Sequence, residues 1–467
     1  MTISRRTALA GITAGAALTT MAGCKDTPAS QAPTKNVLPK LPEAPTSLFL
    51  NKARAADILA ESKVDLLICS EPRNVYYLTS QRPMVHRLGM GHHAYATLSA
   101  KSPDRPTFIT GRIDILLGGA GDSGVFNELD YKLFSAPEDP ASFNQLTDAQ
   151  DIINAPVNQH FYPKMHDDYP LAPHIKRKRE LDVKATREHF ASMDGALLKE
   201  IFETDMPNKT VAIDNPRARA VLEKSGLDLR IVDGERLIKK IRMQKTAAEL
   251  DIHRYAITAN VNAARRAAKS ISDGATLQEM RGEFHKACGE QSTLPVYMLI
   301  DTIIPDLAHS EIKRGRSILI DCVSEFQGYH GDFGRTVCVG EPTKEIKKIT
   351  NGLSFMWERI MPHLKAGTKY SDLHALTAKL YAETGLEAGF AINPHSVGLQ
   401  HTDEPSAQEF GLWKKDDIEL VENMVLSIDM PILDSGLGGS AHLEDLVLVG
   451  KDGPELLNSS DDRLIIV

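Results

Sequence analysis

Apolar runs beside single acids recur along the second half of the chain. Residues 318–320 (ILI) lead into Asp321, residues 425–428 (VLSI) lead into Asp429, and Glu444 is followed by the apolar residues 446–449 (LVLV). Aliphatic runs of this length, bounded by glycine and polar residues, predict strands. In the first of them, residues 318–320 predict one arm of a β-hairpin. Gln327, Gly328, Tyr329 and Gly331 predict its bend, and residues 336–339 its return arm. Asp321 and Asp332 then lie at opposite ends of the hairpin and face one site, while Asp429 and Glu444 lie at strand ends. A carboxylate next to a buried strand is costly unless a cation or hydrogen bonds neutralise it. Two that face each other favour the cation.

Spacings of three and four between apolar positions predict helices over residues 52–62, 185–202, 217–224, 277–288, 351–364 and 371–384, the last stopped by Gly385. Thr246 followed by Glu249 predicts a capping box that opens a long helix to about Ser270, with Leu250, Ile257, Val261 and Ala264 on one face. Residues 64–69, 107–110 and 210–213 predict short strands, and residues 74–79 follow a turn at Pro72. Helices alternate with the acid-bearing strands, the pattern of an α+β fold with helices packed on one curved antiparallel sheet. Residues 134–182 carry scattered Pro, His and Asp and predict an insertion that covers the site or contacts a second subunit.

With 467 residues, 42% hydrophobic and 25% charged, the chain has ordinary globular composition and a length of two or three domains. A net charge of -8 leaves no electrostatic footprint for nucleic acid. The one basic run, Lys176 to Arg179, reads as a solvated face. Cys69, Cys288, Cys322 and Cys338 are too few for a disulfide scaffold, and Cys322 with Cys338 on the hairpin arms reads as a bridge or as two buried thiols. His86, His92 and His93 beside Arg82, Arg87 and Tyr95 read as a polar surface loop, with a substrate-facing loop as the functional alternative.

At the N-terminus, Arg5-Arg6 precede a small-residue apolar run, 8–22, and then Gly23-Cys24. This predicts an export signal over residues 1–23, and a run of about 15 apolar residues is short of the roughly 20 that span a bilayer. The paired arginines resemble a twin-arginine signal, and Met21 to Cys24 resembles a lipobox with Met where Leu is usual. Cys24 is therefore the expected lipidation site. A Pro/Ala-rich linker, 24–46, would hold an exported, periplasmic body off the membrane, whose only membrane contact is the lipid anchor.

Asp321, Asp332, His395, Asp429 and Glu444 together make a hard, oxygen-rich donor set, suited to two divalent ions (Mn, Zn, Fe or Co). Their order, with "GYHGDFGRT" at residues 328–336, "PHSVGL" at 394–399 and "LEDLVLV" at 443–449, resembles the pita-bread metallopeptidase family, which includes Xaa-Pro aminopeptidase, prolidase and creatinase. The resemblance implies a pita-bread catalytic domain over 241–467 preceded by a creatinase-like N-terminal α/β domain over 47–240. It assigns the five residues as metal ligands, and it implies a homodimer and a short peptide or small molecule as substrate. Asp429 stands where the peptidases have Glu. Thr402 stands at the family's second histidine, seven residues after His395, with His401 one place early and Asp403 where the following acid belongs. His309 resembles the substrate-side histidine, on a shortened connection. His309 and His401 are the candidate catalytic residues, donating to the reaction intermediate at near-neutral pH. The function implied is metal-dependent hydrolysis of Xaa-Pro peptides. The alternatives are a metal-dependent lyase acting on dimethylsulfoniopropionate and a family member that binds without catalysis.

Overall fold

The computed structural model describes residues 40–467 except 92, 118–123, 159–169, 171, 303–309, 390–391, 410–411, 416 and 459–461. Two sheets organise them. The first contains β1 (Leu66–Cys69), β2 (Ala94–Ser99), β3 (Thr107–Gly111), β4 (Asp130–Phe134), β5 (His189–Phe190), β6 (Thr210–Ile213) and β7 (Arg230–Asp233), in the order β5-β4-β3-β2-β1-β6-β7. β2 is antiparallel to both its neighbours and the remaining pairs are parallel. All four residues of β1 are buried, as a strand covered on both faces requires. Leu66 and Ile68 pack towards helix Met193–Glu203, whereas Leu67 and Cys69 pack towards helix Gly234–Arg242.

The second sheet is built from β8 (Leu294–Ile300), β9 (Ser317–Phe326), β10 (Tyr329–Cys338), β11 (Asn393–Ser396), β14 (Val425–Ile432) and β15 (Ala441–Leu448). Its order is β11-β14-β15-β10-β9-β8, with β16 (Glu455–Leu456) on β15 and β17 (Leu464–Ile466) on β10. β12 (Ser406–Glu409) and β13 (Leu412–Lys415) pair separately. Every pair in the second sheet is antiparallel except β10 with β17.

Period-two alternation decides what each face of this sheet carries. Ile318, Ile320 and Cys322 join Phe333 and Val337 in a core with helices Ala247–Lys269 and Leu277–Glu290. Leu426, Ile428 and Met430 join Leu443 and Val447 in a core with helices Lys344–Ile360 and Tyr370–Thr384. The intervening positions, among them Asp321, Asp332, Asp429 and Glu444, therefore share the opposite face.

Several sequence expectations are corrected here. The acids sit inside their strands and not at strand ends. The hairpin bend is the two-residue Gln327-Gly328 turn, with φ of 51° and 85°, and Tyr329 and Gly331 belong to β10. The helix expected over 185–202 divides into Pro173–Ala185 and Met193–Glu203, because residues 189–190 pair with β4. The helix expected from 351 begins at Lys344, where Thr343 caps the Ile346 N–H at 3.3 Å. Tyr95 is buried in β2 and is not a surface-loop residue. Cys322 pairs with Phe333 and Cys338 with Ser317 across the hairpin, so the two thiols are well apart along it and both are free. The capping box is present as expected: Thr246 Oγ1 accepts from the Glu249 N–H at 3.3 Å and Glu249 Oε2 from the Thr246 N–H at 2.8 Å. Among the described residues no helix is long and apolar enough to cross a membrane.

Candidate metal centre

Strand register brings the sequence-distant acids into one row. Asp429 lies opposite Glu444, Glu444 opposite Gly334, and Gly334 opposite Asp321. Asp332 and His395 lie two residues along the same face, opposite Val323 and Ser427. Gly334 is the hole at the centre of the row. A Cβ there would stand 2.2 Å from His442 Cε1 and 2.8 Å from Glu444 Cβ, so only glycine lets those side chains close over the strand.

Asp332, His395 and Glu444 are buried, Asp321 and Asp429 are half-buried, and the donors converge. His395 Nε2 is 3.7 Å from both Asp332 Oδ2 and Glu444 Oε1, and His401 Nε2 is 3.2 Å from Asp332 Oδ2. Three sets each place their ligand atoms within 4.8 Å of one another: Asp332/His395/His401, His395/Asp429/Glu444 and Asp321/Asp332/Glu444. Glu444 Oε1 accepts from Ser427 Oγ at 2.5 Å, while the Tyr297 hydroxyl reaches Asp321 Oδ1 at 3.3 Å and His401 Nε2 at 3.0 Å. Both oxygens of Asp332, Nε2 of His395 and Oε2 of Glu444 are buried and make no hydrogen bond to any described residue. Buried carboxylates without hydrogen bonds are costly, and a cation in their midst removes that cost. The donor set thus fits one or more divalent ions.

The electrostatics follow from this crowding. Burial, reinforced by the charge of Asp332, pushes Asp321 up to about 7, and the same two causes hold Glu444 far above the usual carboxylate range. Burial also acts on Asp332, but the adjacent His401 outweighs it and takes Asp332 down to about 2. His401 in turn is lifted to about 9, because Asp332 overcomes the cost of burying its charge. Burial and the charge of His401 push His395 down.

Of the residues singled out from sequence, Asp321, Asp332, His395, Asp429, Glu444 and His401 come together. His309 and Cys24 lie outside the described residues, as does His92. Arg82, His86 and Arg87 line a cleft of 330 Å³ together with Glu325, on the site face of β9 but toward the hairpin bend. Three residues at the site escaped the sequence reading: Tyr297, Ser427 and His442. The side chain of His442 is 1% exposed; its Nε2 donates to Asp429 Oδ1 at 2.6 Å and its Nδ1 lies 3.2 Å from the Ile320 carbonyl. Its position two residues before Glu444 was the available signal, since period two puts both side chains on one face.

Comparison with known proteins gives this geometry a context. Residues 251–451 match metallopeptidase family M24. The chain is similar to an Xaa-Pro dipeptidase of Pyrococcus furiosus, 23% identical over 57% of this chain and 78% of the relative. A probable dipeptidase PepE of Mycobacterium tuberculosis is 26% identical over 50% of this chain and 62% of the relative. Among solved structures, a prolidase from Pyrococcus horikoshii superposes with a TM-score of 0.57 at 17% identity, covering 88% of this chain and 98% of its own. An Xaa-Pro dipeptidase from Bacillus anthracis gives 0.59 at 17% identity, over 89% and 99%. These likenesses establish the fold as the two-part pita-bread architecture.

Proposed function

Residues 251–451 belong to metallopeptidase family M24, and from that premise we propose that this peptidase hydrolyses short Xaa-Pro peptides with two divalent ions, Mn, Zn, Fe or Co, held on the face of the second sheet. The observation that carries the reading is the set of buried donor atoms with no hydrogen-bond partner among the described residues, both oxygens of Asp332, Nε2 of His395 and Oε2 of Glu444, with Asp321 beside them. The Xaa-Pro dipeptidases among its relatives supply the substrate class. Asp321, Asp332, His395 and Glu444 hold the ions, and Asp429 and His401 flank them as the two claimants to the remaining donor position.

Such ions supply Lewis acidity towards the scissile carbonyl and a water acidic enough to attack at neutral pH. The residues of the chain do the rest. Asp429, with its side chain 18% exposed, is more open than Asp332 and Glu444, and the His442 N–H fixes its Oδ1. Its Oδ2 is then free to take the proton of the attacking water and return it to the leaving amine. Tyr297 donates to Asp321 and fixes that carboxylate. Ser427 does the same for Glu444.

Metal-reconstituted protein is expected to cleave a panel of Xaa-Pro peptides, and Asp332→Ala to lose that activity. Full metal content with no cleavage of any panel member would overturn the reading, and release of dimethyl sulfide from dimethylsulfoniopropionate in its place would favour the lyase. We also propose that the chain divides near residues 240/241, that residues 134–182 help to build a homodimer, and that lipid on Cys24 tethers the exported protein. Light scattering and fractionation of a Cys24→Ser variant test the last two.

A further inference from the structure

We propose that His401, and not Asp429, is the second protein donor that joins His395 on one metal ion, so that this ion is held by two imidazoles and the Asp332 carboxylate. The inference rests on the metal centre proposed above and fills its remaining donor position.

Three observations carry it. First, His401 Nε2 lies with His395 Nε2 and an Asp332 oxygen in a set whose ligand atoms are all within 4.8 Å of one another, and the two imidazole rings stand 4.6 Å apart at 35°. Second, one oxygen of the competing carboxylate is already engaged, although Asp429 also shares a set with His395 and Glu444. Asp429 is one methylene shorter than glutamate, and its Oδ1 is taken by His442 Nε2 at 2.6 Å. His442 cannot retreat, because its ring is packed over Gly334 and its Nδ1 faces the Ile320 carbonyl at 3.2 Å. Third, the loop that carries His401 is clamped from both sides. Asp403 is held by Arg242 and Lys245 at 2.6 and 3.2 Å, and the Ser396 N–H donates to Glu404 Oε2 at 2.8 Å. His401 is the side chain between those anchors that reaches Asp332. Its Nδ1 has Thr402 Oγ1 at 3.3 Å, and Nε2, the atom that faces Asp332, would exchange its 3.0 Å contact with the Tyr297 hydroxyl for the ion.

The chemical consequence is a donor set richer in nitrogen than five residues of the acid, acid, histidine, acid, acid kind would give. Imidazole shifts preference towards zinc, cobalt and iron and away from manganese. It also leaves Asp429 out of the coordination set, to act with His442 as a proton-handling pair.

Zinc K-edge absorption spectroscopy on full-length protein loaded with one equivalent of zinc tests the assignment, since imidazole scattering counts the histidines on the ion. Two are expected in the wild type and one in His401→Ala. Affinity for that equivalent, measured by calorimetry, is expected to fall by more than about 100-fold in His401→Ala, beyond the range for residues that only orient a ligand, and by no more than about 10-fold in Asp429→Asn. Circular dichroism and a parallel His401→Gln variant separate ligand loss from misfolding. One imidazole in the wild type, or a larger loss in Asp429→Asn than in His401→Ala, overturns the assignment and leaves the metallopeptidase reading standing. Absence of any stoichiometric zinc binding overturns both.

Discussion

A single backbone position sets the spacing of the centre. Gly334 lies between Glu444 and Asp321 in the cross-strand row, and any side chain there would displace His442 and Glu444 together. Gly334→Ala is therefore expected to cost at least about 1–3 kcal/mol in urea denaturation, the range for overpacking a filled site, and to lower metal stoichiometry. Gly331→Ala, where a Cβ would meet Asn260 and the Ala256 carbonyl on the helix side, is expected to destabilise without that loss. Away from the centre, Glu249 gives a pH signature. Burial raises it from 4.5 to about 7, although Thr246 N–H and the Tyr329 hydroxyl both donate to it. Its folded pKa is above its unfolded value, so its contribution is fully present below 4.5 and is lost as pH rises through 7. Gln at this position keeps an acceptor for Thr246 and can donate to Tyr329. Relative to wild type, Glu249→Gln is expected to gain up to about 3 kcal/mol between pH 5 and pH 8. Equal pH slopes for the two proteins would contradict it.

The loop 397–404 is the element on which the site depends most. It joins β11 to the residues that close over it, and its anchor is an ion cluster in which Arg242, Lys245 and Asp403 all have side chains no more than 1% exposed. Arg242 also reaches Asn74 and Gln400, which ties the loop to helix Pro72–Thr79 next to the first sheet. Gly398 permits the closure, since a Cβ there would stand 2.1 Å from Asp403 Oδ2. Removing one partner of a buried ion cluster strands the others, so Asp403→Asn is expected to cost about 3–5 kcal/mol in equilibrium unfolding. At this scale the sequence was readable wherever one pattern fixed both the element and its orientation. The hairpin around Asp321 and Asp332 was such a case in its apolar approach and return, although its bend is shorter than the cluster from Gln327 to Gly331 suggested. The capping box at Thr246 was another, because it needs only local residues. The loop was less readable. Counting places His401 one residue early, and only the Asp403 anchor in a cationic pocket built by residues far back in the chain turns that offset into a side chain facing Asp332. Tyr297 and His442 were missed for a related reason, since their roles depend on which strand lies beside which.

Across the whole molecule, the second sheet puts Asp321, Asp332 and Glu444 on one face, with one oxygen of each within 4.8 Å of the others and the imidazoles of His401 and His442 beside them. The helices behind the sheet pack on it chiefly through apolar side chains, with a few hydrogen bonds such as Asn260 to the Cys322 carbonyl. Stability must then depend on cations, and differently for proteins with and without the full set of acids. With chelator present at pH 8, Asp321→Asn is expected to melt above the wild type, because one of three mutually repelling carboxylates has lost its charge. With metal at about 1,000 times the dissociation constant, the wild type gains about 4 kcal/mol by mass action, and the variant, short of one ligand, gains less. The order of melting temperatures should reverse. Scanning calorimetry of both proteins with chelator and with zinc reads this directly. A wild type that melts above Asp321→Asn by the same margin in both conditions would mean that the acids are held by the fold alone and that their convergence has no connection with a cation.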